Sequence, residues 1–210
     1  MKHIVSYVKC DVKGFKALIA QYPGLQEVLD ESVADYEALY HREDLDFHLA
    51  YAANIEATFT PFFGMIIEHL EALFGGGDSR IAAVMLWHFC EEIEHRSSAL
   101  TVYDHVVGKR FYRLGQLRKV VKHIGANVAK IHEGFRKHVP GCPEGGSKGA
   151  FLPVPGPAMR RMLLGVFESQ MPWHDPAKGR VPAYYGDWRS SYESGGDMTA
   201  LHEFSPQLAA

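Results

Sequence analysis

The sequence predicts an all-α fold, a helical bundle followed by an irregular C-terminal extension. Three observations carry this reading. Apolar residues recur at spacings of three and four along most of the chain, the period of a helix with one buried face. The spacing lapses where glycine or proline clusters. No segment alternates apolar and polar residues as a half-buried strand would. The expected division is a bundle over residues 1–138 and an extension over 139–210 that packs on it.

The elements follow in order. A first helix is expected at 3–21, with the seam Ile4, Val8, Val12, Phe15 and Ile19, stopped by Tyr22-Pro23-Gly24. An acidic helix occupies about 25–41. The next, 44–74, has the stripe Ala52, Glu56, Phe59, Phe63, Ile66 and Leu70, with Pro61 as an expected kink. Gly75-Gly76-Gly77 ends it, and Asp78-Ser79 caps a helix running to Val107, where Gly108 stops it. The helix at 110–137 reads Leu114, Leu117, Val121, Ile124, Val128, Ile131 and Phe135, a repeat that suits bundle packing. Between Val139 and Pro157, ten of nineteen residues are Gly or Pro, which makes a loop. A short helix at 158–170 and an irregular aromatic tail (Trp173, Tyr184, Tyr185, Trp188, Tyr192) complete the chain.

Composition narrows the function classes. Hydrophobic residues are 47% and charged residues 22% of 210, as in an ordinary globular protein. A net charge of −3 gives no sign of nucleic-acid binding. Cys10, Cys90 and Cys142 form no CxxC pair, which disfavours a disulfide scaffold or a cysteine zinc site. Neither a signal peptide nor an apolar run long enough to span a membrane is expected, so the cytoplasm is the expected location. Residues 105–132 hold seven Lys/Arg and no acid. Such a run is usually a solvated helix face, and residues 109–122 are the segment where contact with a membrane surface would fall.

Residues 86–95, Leu-Trp-His-Phe-Cys-Glu-Glu-Ile-Glu-His, carry the chemistry. His88, Glu92 and His95 stand at i, i+4 and i+7, within about 60° of one another on a helix. They interrupt a face that otherwise reads Ile81, Val84, Ala99, Val102 and Val106. Glu56 likewise interrupts the seam of the preceding helix. A carboxylate on a buried face needs a compensating charge, which a metal ion would supply; a metal-free ion network is the alternative. The short glycine turn makes the two helices antiparallel neighbours, and a Glu facing Glu-x-x-His is half of a di-metal carboxylate site. The candidate ligands are therefore Glu56, His88, Glu92 and His95. Glu91 is a candidate orienter of the imidazoles or an alternative ligand, while Glu94 and Cys90 point elsewhere. His48 shares the seam but lies about 12 Å along it. Trp173-His174-Asp175-Pro176 reads as a turn without chemistry.

The run His88-x-x-Glu91-Glu92-Ile93-Glu94-His95, followed by Tyr103-Asp104, resembles bacterial proteins labelled "predicted metal-dependent hydrolase", a ferritin-like family. Glu56 with His88-x3-Glu92-x2-His95 is also similar to the ligand arrangement of the di-iron aminoarene N-oxygenases. The likeness lies mainly in 44–107 and implies a ferritin-like bundle with Glu56, His88, Glu92 and His95 as ligands. It also implies a further Glu and a second Glu-x-x-His, yet the corresponding positions fall near Val5 and Val8. Glu27, Glu31 and His41 are candidate substitutes with different spacing. A shortened relative, a start downstream of the natural one, or ligands from a second subunit would each account for the difference.

Three functions are thus in competition. One is a di-iron oxygenase or oxidoreductase acting on a small molecule, with iron as cofactor. The second is a hydrolase using one zinc, manganese or similar ion. The third is a non-catalytic relative with an incomplete site. A homodimer is a compatible assembly.

Overall fold

The computed structural model describes residues 13–74, 79–142 and 154–196. The expected helix start at 3–12 with Cys10, the Gly75–Gly77 turn with its Asp78 cap, and most of the Gly/Pro-rich loop lie outside these residues. Every regular element among them is helical. Residues 13–21 form α1, followed by α2 (Leu25–Arg42), α3 (Leu45–Glu68), α4 (Leu70–Phe74), α5 (Ser79–His95) and α6 (Ser98–Val106). Then come α7 (Arg110–His138), α8 (Gly156–Ser169), a 3-10 turn at Pro176–Lys178 and α9 (Ala183–Glu193). No helix among the described residues is long and apolar enough to cross a membrane.

The chain divides into two compact units. The first comprises residues 1–44 and 121–149, the second 45–120 and 150–210. In the first, α2 packs on the later part of α7. Gly134 lies against Val28, so closely that a Cβ at 134 would collide with the Val28 methyls. Lys130 of α7 pairs with Asp35 and reaches Glu31 of α2 at 3.7 Å. The expected α7 seam is displaced: Val121 and Val128 are 60% and 50% exposed, and Ile131 is exposed too. The line that α7 buries is Arg113, Val120, Asn127 and Gly134, each seven residues from the last. At Gly134 the close approach to Val28 leaves room for no side chain.

In the second unit α3 is central, packing against α5, α6 and α8. Its mean composition is apolar, as suits a helix covered on several sides. Phe63, Ile66 and Leu70 are buried as the stripe predicts, but Ala52 is exposed, and before Pro61 the buried residues are Phe47, Ala50, Tyr51, Ala53, Asn54 and Ala57. Phe63 stacks on Phe89 of α5 at 4.5 Å between ring centroids.

Both long helices expected at 44–74 and 78–107 are interrupted. The first breaks at His69, between α3 and α4. The second breaks at Arg96-Ser97, where Arg96 donates from Nη1 to the Ile93 carbonyl and from Nε to the Pro176 carbonyl. Serines at 97 and 98 favour helix ends over helix interiors, which helps the break. The stop at Gly108 holds, with φ of +62°. The aromatic tail, expected to be irregular, is helical over Ala183–Glu193. Pro182 starts it, and Tyr184 and Trp188 are buried four residues apart. Trp188 stacks on Tyr192 at 5.4 Å, and Tyr185 Oη donates to Glu94 at 2.7 Å.

The Gly134–Val28 contact gives a direct test. Gly134→Ala should destabilise the protein by about 1–3 kcal/mol, because the β-branched Val28 has little freedom to move aside. Val28→Ala in the same chain should recover part of the loss, as read by denaturant unfolding. A Gly134→Ala variant as stable as wild type would refute the close approach.

Candidate functional site

The face carrying His88, Glu92 and His95 is an edge of the core. The residues that α5 buries are Ala82, Leu86, Phe89, Cys90 and Ile93. The expected apolar companions Ile81, Val102 and Val106 are 63%, 48% and 59% exposed. The His88 and Glu92 side chains are 35% and 26% exposed, and His95 is exposed. His88 Nε2 stands 3.8 Å from Glu92 Oε1, one helical turn on. The rotation of the face follows from the ring packing of Phe89 on Phe63, which turns position 89 inward and 88 to the margin.

Glu56 is half-buried on α3, and its two oxygens have different surroundings. Oε2 accepts a hydrogen bond from the Ala99 backbone N–H at 2.7 Å, in the first turn of α6. Ser97, the residue before α6, makes no side-chain cap of its own. Glu56 therefore satisfies, from another helix, one of the donors that a helix start leaves without a partner. It also places negative charge at the positive end of the α6 dipole. Oε1 is buried and takes no hydrogen bond among the described residues. Burial raises the Glu56 carboxyl above its ordinary range, outweighing the Ala99 and Ser98 N–H groups; Glu92 raises it further and His95 opposes. Those last two influences bring Glu92 and His95 into the electrostatic neighbourhood of Glu56.

Glu91, half-buried, is likewise raised by burial, while His95 and His88 act to lower it. Glu56 thus feels the charges of Glu92 and His95, and Glu91 those of both imidazoles. As the side chains stand, however, no three His, Cys, Asp or Glu among the described residues converge as a metal-binding group. Donor chemistry and the buried Glu56 oxygen are those that suit a cation, although the side chains do not close around one. Glu94 is engaged by Tyr185 on α9. Cys90 is fully buried opposite this face, its thiol pushed up to about 12 by burial.

A second polar group has no counterpart among the residues that the sequence pattern singles out. Arg113 of α7 is 2% exposed. It donates to Asn54 Oδ1 at 3.2 Å, to the Gln170 carbonyl at 3.2 Å and to the Met171 carbonyl at 3.0 Å. Asn54 Nδ2 returns a bond to the Arg113 carbonyl at 3.1 Å, and Gln170 Nε2 reaches Thr58 Oγ1 at 3.2 Å. The guanidinium thus closes the C-terminal end of α8, where carbonyls lack helical partners. A long-range network of this kind leaves little trace in a sequence; the nearest cue is the seven-residue line Arg113–Val120 that α7 buries. Cavities of about 650 and 540 Å³ lie among the described residues of this unit, and neither of these is lined by Glu56, His88, Glu92 or His95.

The described elements are all helical, and the candidate carboxylates and imidazoles stand on two helices, α3 and α5, that pack together. The chain belongs to the family described as "predicted metal-dependent hydrolase", whose profile matches residues 5–176. Comparison with curated proteins and with solved structures returns no match. The family implies a metal cofactor.

Two outcomes follow from the site. Glu56→Gln keeps an oxygen for the Ala99 N–H and should leave the stability of metal-free protein nearly unchanged, whereas Glu56→Ala should cost about 0.5–2 kcal/mol as a lost helix cap. Equal stability of the two variants in thermal unfolding would remove the cap. Separately, the native protein should alkylate at Cys142 well before Cys90, which is inaccessible and protonated at neutral pH. Peptide mass mapping after iodoacetamide treatment checks this, and early Cys90 labelling would contradict its burial.

Proposed function

We propose that the chain is a hydrolase that uses one divalent metal ion, held by His88, Glu92 and His95 of α5 with Glu56 of α3 as fourth donor or general base. The carrying observation is Glu56 Oε1, a buried carboxylate oxygen with no hydrogen-bond partner among the described residues, on a carboxylate that feels the charges of Glu92 and His95. Membership of the family supports a metal-dependent hydrolytic role. Two imidazoles and a carboxylate are the donor composition of catalytic zinc sites, which keep a coordination position open for water or substrate. When bound, such an ion polarises a scissile carbonyl or phosphoryl group and acidifies water.

The chain's own residues have distinct tasks in this reading. Glu56 is held in place by the α6 N–H, so one of its oxygens is oriented before any ligand arrives. Glu91, beside both imidazoles, orients them or accepts a proton. Phe63 and Phe89 wall one side of His88. Iron in a two-ion oxygenase site would need a second carboxylate–imidazole set, and no observation among the described residues favours it. The non-catalytic reading has one supporting observation: capping of α6 already gives Glu56 a structural use.

Metal analysis separates these readings. Protein purified under reducing conditions should carry about one ion per chain. Adding Zn²⁺ to stripped protein should raise the melting temperature by roughly 5–15 °C, since the donors are gathered only in the fold. Glu92→Ala should abolish the rise, and Glu56→Gln should reduce it while keeping the cap. An equal rise in wild type and Glu92→Ala would refute the site. Two tightly held irons per chain would instead support the oxygenase.

A further inference from the structure

The 540 Å³ cavity beside α6 and the start of α7 has a charge pattern unrelated to the carboxylate–imidazole cluster. Its wall includes Arg113, Arg110, His174, Lys178, Asp104 and Asp175. Arg113 is the unusual member. It is almost wholly buried, and its hydrogen bonds go to an amide oxygen and two backbone carbonyls, all uncharged. No carboxylate among the described residues forms an ion pair with it, although the field of Asp104 is felt. Uncompensated buried charge is costly, and carbonyl dipoles offset it only in part. Arg110, exposed at the cavity wall, likewise has no ion-pair or hydrogen-bond partner among the described residues.

The two carboxylates of the wall are unequal. Asp175 is engaged, accepting from the Ala177 N–H and pairing with Lys178 at 3.1 Å. Asp104 pairs with nothing among the described residues and is exposed. His174 is held towards its neutral form by burial and by the Arg113 charge. The cavity wall thus holds one guanidinium without a partner among the described residues, Arg110, a planar fork suited to a carboxylate or phosphate, and beside it the positive charge of Arg113, whose hydrogen bonds all go to uncharged acceptors. Its volume is in the range of small-molecule sites.

We propose that this cavity is a binding site for the oxyanion group, carboxylate or phosphate, of a small molecule, with Arg110 as the exposed clamp and Arg113 as the buried positive charge behind it. The site does not depend on the metal reading. An anion there supplies the charge that Arg113 lacks. Asp104 opposes it and sets the affinity low enough for release.

Calorimetric titration of the full chain with inorganic phosphate, and separately with acetate, at constant ionic strength maintained with chloride, tests the site. At least one of the two should bind saturably at one per chain, and the preferred anion tells a phosphoryl from a carboxylate ligand. Arg110→Gln should weaken binding about tenfold, and Asp104→Asn should tighten it about threefold. Both residues are exposed, so the variants should fold. Failure of both anions to bind saturably overturns the proposal, as does an affinity that neither variant changes. Binding that Glu92→Ala removes and Arg110→Gln leaves intact also overturns it, because the anion then belongs to the carboxylate–imidazole cluster.

Discussion

The hydrogen bond from the Ala99 N–H to Glu56 joins a helix start to a carboxylate on the central helix, and much around α3 depends on it. A break in a helix exposes donors that the continuous helix would have satisfied. At Arg96-Ser97 the break is tolerated because Glu56 meets one of these donors while Arg96 meets the Ile93 and Pro176 carbonyls. The carboxylate that marks the chain as a metal-site candidate is thus also an architectural element. The two roles are compatible because a carboxylate has two oxygens, and the cap uses one of them.

Arg113 performs the complementary task at a helix end. Its guanidinium meets carbonyls at the close of α8 and is tied to Asn54 on α3, so the start of α7 and the end of α8 are set by hydrogen-bond geometry as well as by packing. Apolar contacts alone would allow some sliding, whereas buried polar groups tolerate little because each lost bond leaves an unsatisfied group. The second unit is therefore specified by two polar contacts on opposite charges. One adjoins the imidazoles of α5. The other adjoins a cavity with guanidinium groups in its wall.

Part of this architecture is legible in the order of the amino acids. Helical periodicity identifies the all-α class, and the stops at Tyr22–Gly24 and Gly108 follow from residues that leave a helix at small cost. The Glu56 and His88–His95 pattern carries the resemblance to the family whose profile matches residues 5–176. Less legible is which face each helix buries. On α7 the apolar row Val121, Val128 and Ile131 is exposed, while a line through Val120, Asn127 and Gly134 is buried. On α5 the candidate ligands stand at the edge because Phe89 takes the interior position.

The sequence by itself determined the class, most helix ends and the donor types, because these depend on residues a few positions apart. Local propensity and periodicity act over one or two turns and need no partner. Only the tertiary structure decided the breaks at His69 and Arg96-Ser97, the helix at Ala183–Glu193 and the burial of Arg113. Several of these rest on groups distant in the chain: Glu56 on Ala99, Arg96 on Pro176, Arg113 on Asn54 and Gln170. Periodicity measures how often apolar residues recur. It carries no trace of which distant donor will meet which acceptor, and in this protein such meetings accompany the break at Arg96-Ser97 and the burial of Arg113.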